Sequence, residues 1–244
     1  MQWDDYDAAL FDLDGVLTPT AEVHMRAWDR MFNDYLAERA VADPVAGAVD
    51  RYTSADYFAH VDGKPRFDGV RTFLASRGIE LPEGTTDDAP DAETVGGLGN
   101  RKNAVFAAIL EEEGVEPYPA SVRLLDHLAD RGTAVAVVSS SRNAPVVLAA
   151  AGLAERFAVV VDGEVAAREC LEGKPSPATY LHAARLLGVE AHRSVVLEDA
   201  MSGVASGRAG GFGLVVGVDR GAGRNALLDG GADIVVAELD ELLP

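Results

Sequence analysis

The 244-residue sequence has one cysteine and no long apolar run, and both shortages exclude classes of protein. With Cys170 alone, the chain can build neither an internal disulfide framework nor a cysteine-based zinc site. No stretch approaches the ~18 unbroken apolar residues of a transmembrane helix, and no basic segment followed by an apolar run opens the chain. We therefore expect a cytoplasmic protein that is neither exported nor embedded in a membrane.

Positive charge is also scarce, since 21 lysines and arginines stand against 40 aspartates and glutamates. The resulting net charge of −19 argues against nucleic acid and anionic membranes as partners. An anionic substrate would approach against this field, so its site needs local positive charge or a divalent cation. Only three of the cationic residues are lysines, namely Lys64, Lys102 and Lys174.

The pattern of apolar residues differs between successive regions of the chain. The length and the 48% hydrophobic content fit one large domain or two modest ones. Residues 20–116 carry only helical patterns, such as Trp28, Met31, Phe32 and Tyr35 on one helical face. From residue 117 onward, short and wholly apolar strands alternate with helices, which predicts a parallel sheet covered on both faces.

The predicted fold class is therefore α/β, with a Rossmann-like parallel sheet and helices on both faces. The apolar segment 6–11 is expected to join this sheet because the helical block offers it no strand partner. The sheet domain would comprise residues 1–19 and 117–244, with residues 20–116 inserted as a small helical domain. Further strands are predicted at 133–138, 157–161, 194–197, 214–218 and 234–236, helices at 55–61, 68–77, 100–113, 121–131, 144–151, 177–187, 203–209 and 224–228, and a loop at 81–99.

Acidic, hydroxyl and lysine side chains follow several of the predicted strands. Ligands of such sheets bind beyond the carboxyl ends of the strands, so these side chains are expected at one edge. Two acidic pairs there would repel each other unless a cation lay between them, and all-oxygen ligands suit Mg²⁺. The set favours phosphoryl transfer. It consists of Asp12 and Asp14 after the first predicted strand, Ser139 after the second, Lys174 in a Gly-Lys-Pro turn, and Glu198 and Asp199 after the fourth.

Each member of this set also has an ordinary explanation when it is taken alone. Asp12 and Asp14 are typical of a strand end with turn-forming aspartates. The serines from Ser139 onward are typical of a helix N-terminus, and Lys174 of a solvated loop. The prediction depends on all of them occurring together.

In their order along the chain, Asp12-x-Asp14-Gly-Val, Ser139, Lys174-Pro and Glu198-Asp199 resemble the four motifs of the haloacid dehalogenase superfamily. The resemblance implies that Asp12 is the nucleophile, which becomes an aspartyl phosphate, and that Asp14 is the general acid/base. Ser139 and Lys174 would hold the transferring phosphoryl group. Mg²⁺ would be bound by Asp12, Glu198, Asp199 and the backbone carbonyl of Asp14. The helical insertion is similar to the cap of that superfamily, which closes over the site and excludes water.

Three segments resemble the β-phosphoglucomutase-like subfamily: residues 12–28, Arg101-Lys102-Asn103 and residues 139–143. That subfamily moves phosphate between C1 and C6 of a β-glucose phosphate through the 1,6-bisphosphate. Pro19 departs from the aspartate often found there, and Arg142 from a common lysine. The resemblance implies substrate contacts from His24, Trp28, Gly63, Lys64, Arg66 and Lys102 in the helical domain and from Ser140, Ser141, Arg142 and Asn143 in the sheet domain.

Other functions stay open beside the mutase. A sugar-phosphate phosphatase on the same scaffold would let water attack the aspartyl phosphate, although it has less use for a second phosphate grip. A catalytically silent binding module would turn over no phosphate ester. A dinucleotide site at Gly96-Gly97-Leu98-Gly99 is excluded, because no strand precedes it and no third glycine of the motif follows. We expect a monomer that acts on a small sugar phosphate.

Overall fold

The computed structural model describes residues 1–42 and 49–244. These residues form two compact units, one of Met1–Thr20 with Val115–Pro244 and one of Ala21–Gly114. We call them the core unit and the helical unit. Among the described residues, no helix is both long and apolar enough to cross a membrane.

The helical unit is built around the apolar face of its first helix. Trp28, Met31, Phe32 and Tyr35 are all buried there, as their spacing predicts, and they pack in one cluster with Phe73. The rings of Phe32 and Phe73 are in close contact in this cluster, with their centroids 4.1 Å apart and their planes tilted by 46°. The helices are α1 (Thr20–Ala42), α2 (Ser54–Asp56), a π-helical turn (Tyr57–Val61), α3 (Arg66–Ser76) and α4 (Val95–Glu113).

The core unit contains a six-stranded sheet in which every described pair of neighbouring strands is parallel. The strands are β1 (Ala8–Phe11), β2 (Ala134–Val138), β3 (Val159–Val161), β4 (Ser194–Glu198), β5 (Leu214–Val218) and β6 (Ile234–Val236). Their order is β3-β2-β1-β4-β5-β6, so β1 is central and Phe11 lies opposite both Val137 and Leu197. The predicted α/β class is confirmed.

Helices follow the strands and bury both faces of the sheet. All four residues of β1 are buried, although their side chains alternate between the faces. On one face, Tyr180, Ala183 and Val204 belong to the same buried apolar cluster as Leu10. The helices are α5 (Pro119–Arg131), α6 (Ala144–Ala150), α7 (Gly163–Arg168), α8 (Ala178–Leu187), α9 (Met201–Ala209) and α10 (Arg224–Gly230), with single 3₁₀ turns at Trp3–Asp5, Ala154–Arg156, Ala191–Arg193 and Leu239–Leu242.

One predicted loop is partly helical. The stretch 81–99 was expected to be loop throughout, yet α4 begins at Val95. Thr94 caps this helix, because its Oγ1 accepts a hydrogen bond from the Gly97 backbone at 2.9 Å. A Cβ atom on Gly96 would lie 2.0 Å from the Thr85 carbonyl oxygen, so glycine is needed for close packing there rather than for a turn.

Two further differences between prediction and structure concern helices of the core unit. The short helix α7 is not predicted from the sequence, although Asp162 caps it by accepting from the backbone of Glu164 at 3.0 Å and of Val165 at 2.8 Å. Helix α8 begins at Ala178, with Pro177 at the N-cap. A helix as short as α7 contains too few residues for a helical spacing of apolar side chains to be recognised in the sequence.

Candidate active site

A lysine and two carboxylates meet where the central strands end. Asp12 follows β1 directly, and its backbone N–H donates to the Leu197 carbonyl at 2.9 Å. Lys174 Nζ donates to Asp12 Oδ1 at 2.6 Å, to Glu198 Oε1 at 2.5 Å and to the Val138 carbonyl at 3.0 Å. The three donations use all the protons of the ammonium group and so fix its position. All three residues are buried: Asp12 is 8% exposed, Lys174 is 5% exposed and Glu198 is 0% exposed.

Burial and charge act on this cluster in opposite directions. Burial alone would lower the pKa of Lys174, but the adjacent Asp12 and Glu198 carboxylates raise it above its ordinary value and keep the amine charged. Burial raises the pKa of Asp12 well above its ordinary value, with Glu198 and Asp14 adding to the rise and Lys174 opposing it. Two buried carboxylates thus share one ammonium group, and a further cation beside them would offset the remaining negative charge.

Three carboxylates converge on a possible cation position. Asp12, Glu198 and Asp199 each offer a ligand atom, and these atoms all lie within 4.8 Å of one another. Glu198 is held in place by the Tyr180 hydroxyl, which donates to Oε1 at 3.0 Å, and by the Ala200 N–H, which donates to Oε2 at 3.1 Å. The donor set is entirely oxygen, which suits a hard divalent cation. The acidic cluster could therefore bind a metal ion.

Asp14 lies beside two threonine hydroxyls instead of in the lysine cluster. Thr20 Oγ1 donates to Asp14 Oδ1 at 2.5 Å, and Thr18 Oγ1 lies 2.7 Å from Thr20 Oγ1. Ser139 Oγ donates to the other carboxylate oxygen of Asp14 at 3.5 Å. Asp12 and Asp14 thus have different surroundings, as expected for side chains two residues apart on an extended chain.

The loop that carries Asp14 is held by donors from distant parts of the core unit. Arg220 Nε donates to the Gly15 carbonyl at 2.9 Å, and the buried Ser121 hydroxyl donates to the Val16 carbonyl at 2.7 Å. The Tyr118 N–H donates to the Leu17 carbonyl at 2.9 Å. Three successive carbonyls are therefore fixed, which limits movement of the loop.

The segment after β2 is arranged by its own hydroxyl groups. The backbone N–H of Ser139 donates to the Val161 carbonyl at 3.0 Å, which continues the pairing of β2 with β3. Ser139 Oγ accepts from the Ser141 N–H, and Ser141 Oγ accepts from the Asn143 N–H, both at 3.1 Å. Arg142 lies 3.3 Å from the Glu164 carboxylate. Ser140 lies in the same segment, so all five predicted residues are adjacent at this edge.

A second group of predicted residues is assembled within the helical unit. Lys102, only 3% exposed, is hydrogen-bonded to His24 Nδ1 and lies over the ring of Trp28 at 5.1 Å. The His24 ring stacks on Phe106 with centroids 4.1 Å apart, and Lys102 also lies 4.9 Å from that ring. Aromatic faces stabilise an ammonium group in such a position. The structure therefore brings His24, Trp28 and Lys102 together.

The remaining predicted residues of the helical unit lie at the start of α3. Arg66 is its first residue, and its guanidinium donates to Asn100 Oδ1 at 3.1 Å. Asn100 is fixed in turn, because its amide donates to the Thr86 and Asp88 carbonyls at 2.9 and 2.8 Å. Gly63 and Lys64 lie in the preceding turn, where the Lys64 N–H donates to the Val61 carbonyl at 3.1 Å.

Comparison with known proteins identifies the family. A family model for the haloacid dehalogenase-like hydrolases matches residues 6–211. The curated Beta-phosphoglucomutase of Mycobacterium tuberculosis (strain CDC 1551 / Oshkosh) is 50% identical over 240 residues, which cover 97% of this chain and 91% of the relative. The chain belongs to the haloacid dehalogenase-like hydrolase family.

Further relatives of this haloacid dehalogenase-like chain carry the same name. The Beta-phosphoglucomutase of Bacillus subtilis (strain 168) is 30% identical over 96% of the chain and 91% of the relative. The crystal structure of beta-phosphoglucomutase from Clostridium difficile superimposes with a TM-score of 0.76 at 23% identity, covering 97% of this chain and 93% of that one, and shows the same fold. The predicted superfamily and its β-phosphoglucomutase-like group are confirmed.

Sequence reasoning missed several residues that shape these two groups. Tyr180, Thr20, Phe106 and Asn100 contact predicted site residues, and Arg220 donates to the carbonyl of Gly15, which follows Asp14. Tyr180 and Phe106 lie on apolar helix faces, where an aromatic residue indicates packing. Thr20 gives the clearest signal in the sequence, because a hydroxyl so soon after a strand-end acidic pair can reach back to it.

Proposed function

We propose that this chain is a Mg²⁺-dependent β-phosphoglucomutase that converts β-glucose 1-phosphate to glucose 6-phosphate through the 1,6-bisphosphate. The observation that carries the proposal is the buried Asp12–Lys174–Glu198 cluster beside Asp199, which provides a carboxylate, a fixed ammonium group and a cation position together. The sugar specificity is supported by the 50% identity to a protein named Beta-phosphoglucomutase.

In the proposed reaction, Asp12 first accepts a phosphoryl group from the 1,6-bisphosphate and then passes it to a new substrate molecule. The Asp12 carboxylate attacks the phosphorus atom at C1 of the bisphosphate, and the bond from phosphorus to the C1 oxygen breaks as Asp14 gives a proton to that oxygen, which releases glucose 6-phosphate. In the second half, the C6 hydroxyl of β-glucose 1-phosphate attacks the aspartyl phosphate, Asp14 takes its proton, the Asp12 carboxylate leaves and the bisphosphate is formed again. The Thr20 hydroxyl donates to Asp14 Oδ1 and holds the Asp14 side chain in place between these steps.

This transfer requires positively charged groups close to the phosphoryl oxygens, which carry negative charge. Lys174 is held on Asp12 and so stays beside the attacked group, while Ser139 offers a hydroxyl from the neighbouring strand end. Asp12, Glu198, Asp199 and the Asp14 carbonyl would hold Mg²⁺, which when bound offsets the negative charge that the phosphoryl group carries. The all-oxygen donor set fits this ion.

We assign substrate contacts to both groups of predicted residues. A mutase has to bind a sugar with two phosphate groups, so it needs more cationic and hydroxyl contacts than the reacting centre alone provides. The enzyme is expected to act as a monomer in the cytoplasm. The contacts are assigned to His24, Trp28, Gly63, Lys64, Arg66 and Lys102, and to Ser140, Ser141, Arg142 and Asn143.

The test is a product assay with β-glucose 1-phosphate, Mg²⁺ and a catalytic amount of β-glucose 1,6-bisphosphate. The proposal predicts glucose 6-phosphate as the product and no isomerisation by Asp12→Asn. Inorganic phosphate released at the full rate would instead identify a sugar-phosphate phosphatase, which the hydrolase description of the family keeps as the second candidate. No turnover of any phosphate ester would identify a binding module.

A further inference from the structure

A tyrosine lies beneath the candidate metal site and has no part in the proposed reaction. Tyr180 of α8 is completely buried, and its hydroxyl donates to Glu198 Oε1 at 3.0 Å. The Lys174 Nζ lies 5.0 Å from the centre of its ring, and the Phe212 ring packs edge-on at 6.0 Å. Tyr180 therefore contacts both charged groups that surround Asp12.

The hydrogen bonds to Glu198 leave one position for a further ligand. A carboxylate has four lone-pair sites, two on each oxygen. Lys174 and Tyr180 occupy both sites on Oε1, and the Ala200 N–H occupies one on Oε2. The remaining site on Oε2 is the one that can be shared with a cation beside Asp12 and Asp199.

Packing prevents the carboxylate from turning to another arrangement. Glu198 has no exposed surface, and α9 passes so close that a Cβ on Gly203 would lie 1.8 Å from the carboxylate carbon. The angle of the carboxylate is then decided by what binds Oε1. Lys174 divides its hydrogen bonds among Glu198, Asp12 and the Val138 carbonyl. The Tyr180 hydroxyl, in contrast, donates to Glu198.

We propose that Tyr180 is a positioning residue for the metal site, whose hydroxyl holds Glu198 Oε1 so that Oε2 faces the bound cation. The inference rests on the proposed function, which assigns Glu198 to the metal site. A phenylalanine at this position would fill the same volume and keep the ring beneath Lys174. The hydroxyl is therefore explained by its bond to Glu198 and not by packing.

The experiment compares wild type, Tyr180→Phe and Tyr52→Phe by calorimetric titration of the substrate-free protein with MgCl₂. Loss of a hydrogen bond to a metal-binding side chain is expected to weaken Mg²⁺ binding about tenfold in Tyr180→Phe. Raised Mg²⁺ should restore most of kcat, since the reacting groups are unchanged. Tyr52→Phe removes another buried tyrosine hydroxyl, in the helical unit, and should leave the Mg²⁺ affinity at the wild-type value.

Equal Mg²⁺ affinity in Tyr180→Phe and wild type would overturn the inference and leave the proposed function intact. A wild-type protein that binds no Mg²⁺ would overturn the proposed function itself. Should Tyr180→Phe fail to fold, wild type alone decides the question by near-ultraviolet difference absorbance. Mg²⁺ binding should then perturb a tyrosine signal, and its absence during saturable binding would contradict the inference.

Discussion

Lys174 is the residue on which the charge balance of the site depends. Its ammonium group is the shared partner of Asp12 and Glu198, both of which are buried. Replacing it by methionine keeps most of the volume but removes the cationic hydrogen-bond donor that the buried Asp12 and Glu198 side chains share. Removing one partner of a buried ion pair costs about 3–5 kcal/mol.

We therefore expect Lys174→Met to lower the free energy of unfolding of the metal-free protein by about 3–5 kcal/mol in urea denaturation. The matched control is Lys64→Met in the helical unit, which removes a partly exposed lysine from the turn before α3 and should cost less than about 1 kcal/mol. Equal losses in the two variants would show that the Asp12–Lys174–Glu198 contacts contribute nothing to stability.

The raised pKa of Asp12 makes metal binding depend on pH. Because burial raises this pKa, the metal-free folded protein holds a proton on Asp12 that the unfolded chain releases at about pH 4. That contribution to stability is present at low pH and is lost as the pH rises through the folded pKa. A cation has to displace the same proton, so its affinity rises over the same interval.

The increase in Tm caused by MgCl₂ should therefore be larger at about pH 8 than at about pH 5. Thermal unfolding with and without Mg²⁺ at each pH measures it. Asp12→Asn, which cannot titrate, should flatten the dependence that Asp12 causes. A Tm increase that stays constant or shrinks toward high pH would contradict the pKa direction.

At the residue scale, the sequence reveals those residues that sit in an ordered set of motifs. Asp12, Lys174 and Glu198 could be predicted because each follows a strand or a rigid turn in the expected order. Tyr180 could not, because its bond to Glu198 depends on how α8 packs under β4. Contacts of this kind follow from tertiary packing and leave no local pattern.

Among the helices, α9 shapes the site through a backbone approach. Gly203 lies in its first turn, directly against the Glu198 carboxylate. Alanine is the better helix former, by about 1 kcal/mol, so a gain in stability would be expected from helix propensity alone. The close approach predicts the opposite result for Gly203→Ala.

We expect Gly203→Ala to displace Glu198, lower Tm and weaken Mg²⁺ binding by at least about tenfold in calorimetric titration. Gly207→Ala on the same helix is the control, since the nearest atoms to its Cβ would be those of the Val215 and Val196 side chains, at 3.0 Å and beyond. That variant should change stability while leaving the Mg²⁺ affinity unaltered. A Gly203→Ala protein with wild-type Mg²⁺ affinity would show that the helix does not constrain Glu198.

Strands were predicted more completely than helix starts. The apolar runs that form β2, β4 and β5 are short and rich in valine, and this combination of length and β-branched residues favours strands over helices. The first turn of α4 was assigned to a loop because its glycines resemble turn residues. In the structure, Gly96 is needed because the Thr85 carbonyl lies against it, and this contact exists only in the folded chain.

The molecule as a whole carries a net charge of −19, which opposes both compaction and the approach of anions. Monovalent salt screens this repulsion, so NaCl should raise Tm of the metal-free protein. MgCl₂ at the same ionic strength should raise it further, because a bound ion adds stabilisation that grows with concentration. Differential scanning calorimetry separates the two effects.

Asp199→Asn is the control for this comparison, since it removes a carboxylate of the candidate metal site and keeps nearly the same net charge. The variant should retain the NaCl effect and lose most of the extra effect of MgCl₂. Equal Tm increases from the two salts in the wild-type protein would mean that Mg²⁺ acts by screening alone.

The α/β class could be predicted for the whole chain because the spacing of apolar residues differs between its two parts. Helical spacing dominates residues 20–116, and strand–helix alternation follows from residue 117. The four motifs then indicated the family, which the matching family model confirms over residues 6–211. Side-chain groupings such as His24 with Lys102 join residues 78 positions apart, and only the fold brings them together.

The central claim is that Asp12 accepts the phosphoryl group, and the most direct test is to find where that group is attached. The protein is mixed with β-glucose 1,6-bisphosphate and Mg²⁺, quenched in acid and digested, and its peptides are examined by mass spectrometry. The account predicts one phosphoryl group on the peptide that contains Asp12, and none in Asp12→Asn. A phosphoryl group on any other residue, or turnover by Asp12→Asn at the wild-type rate, would contradict it.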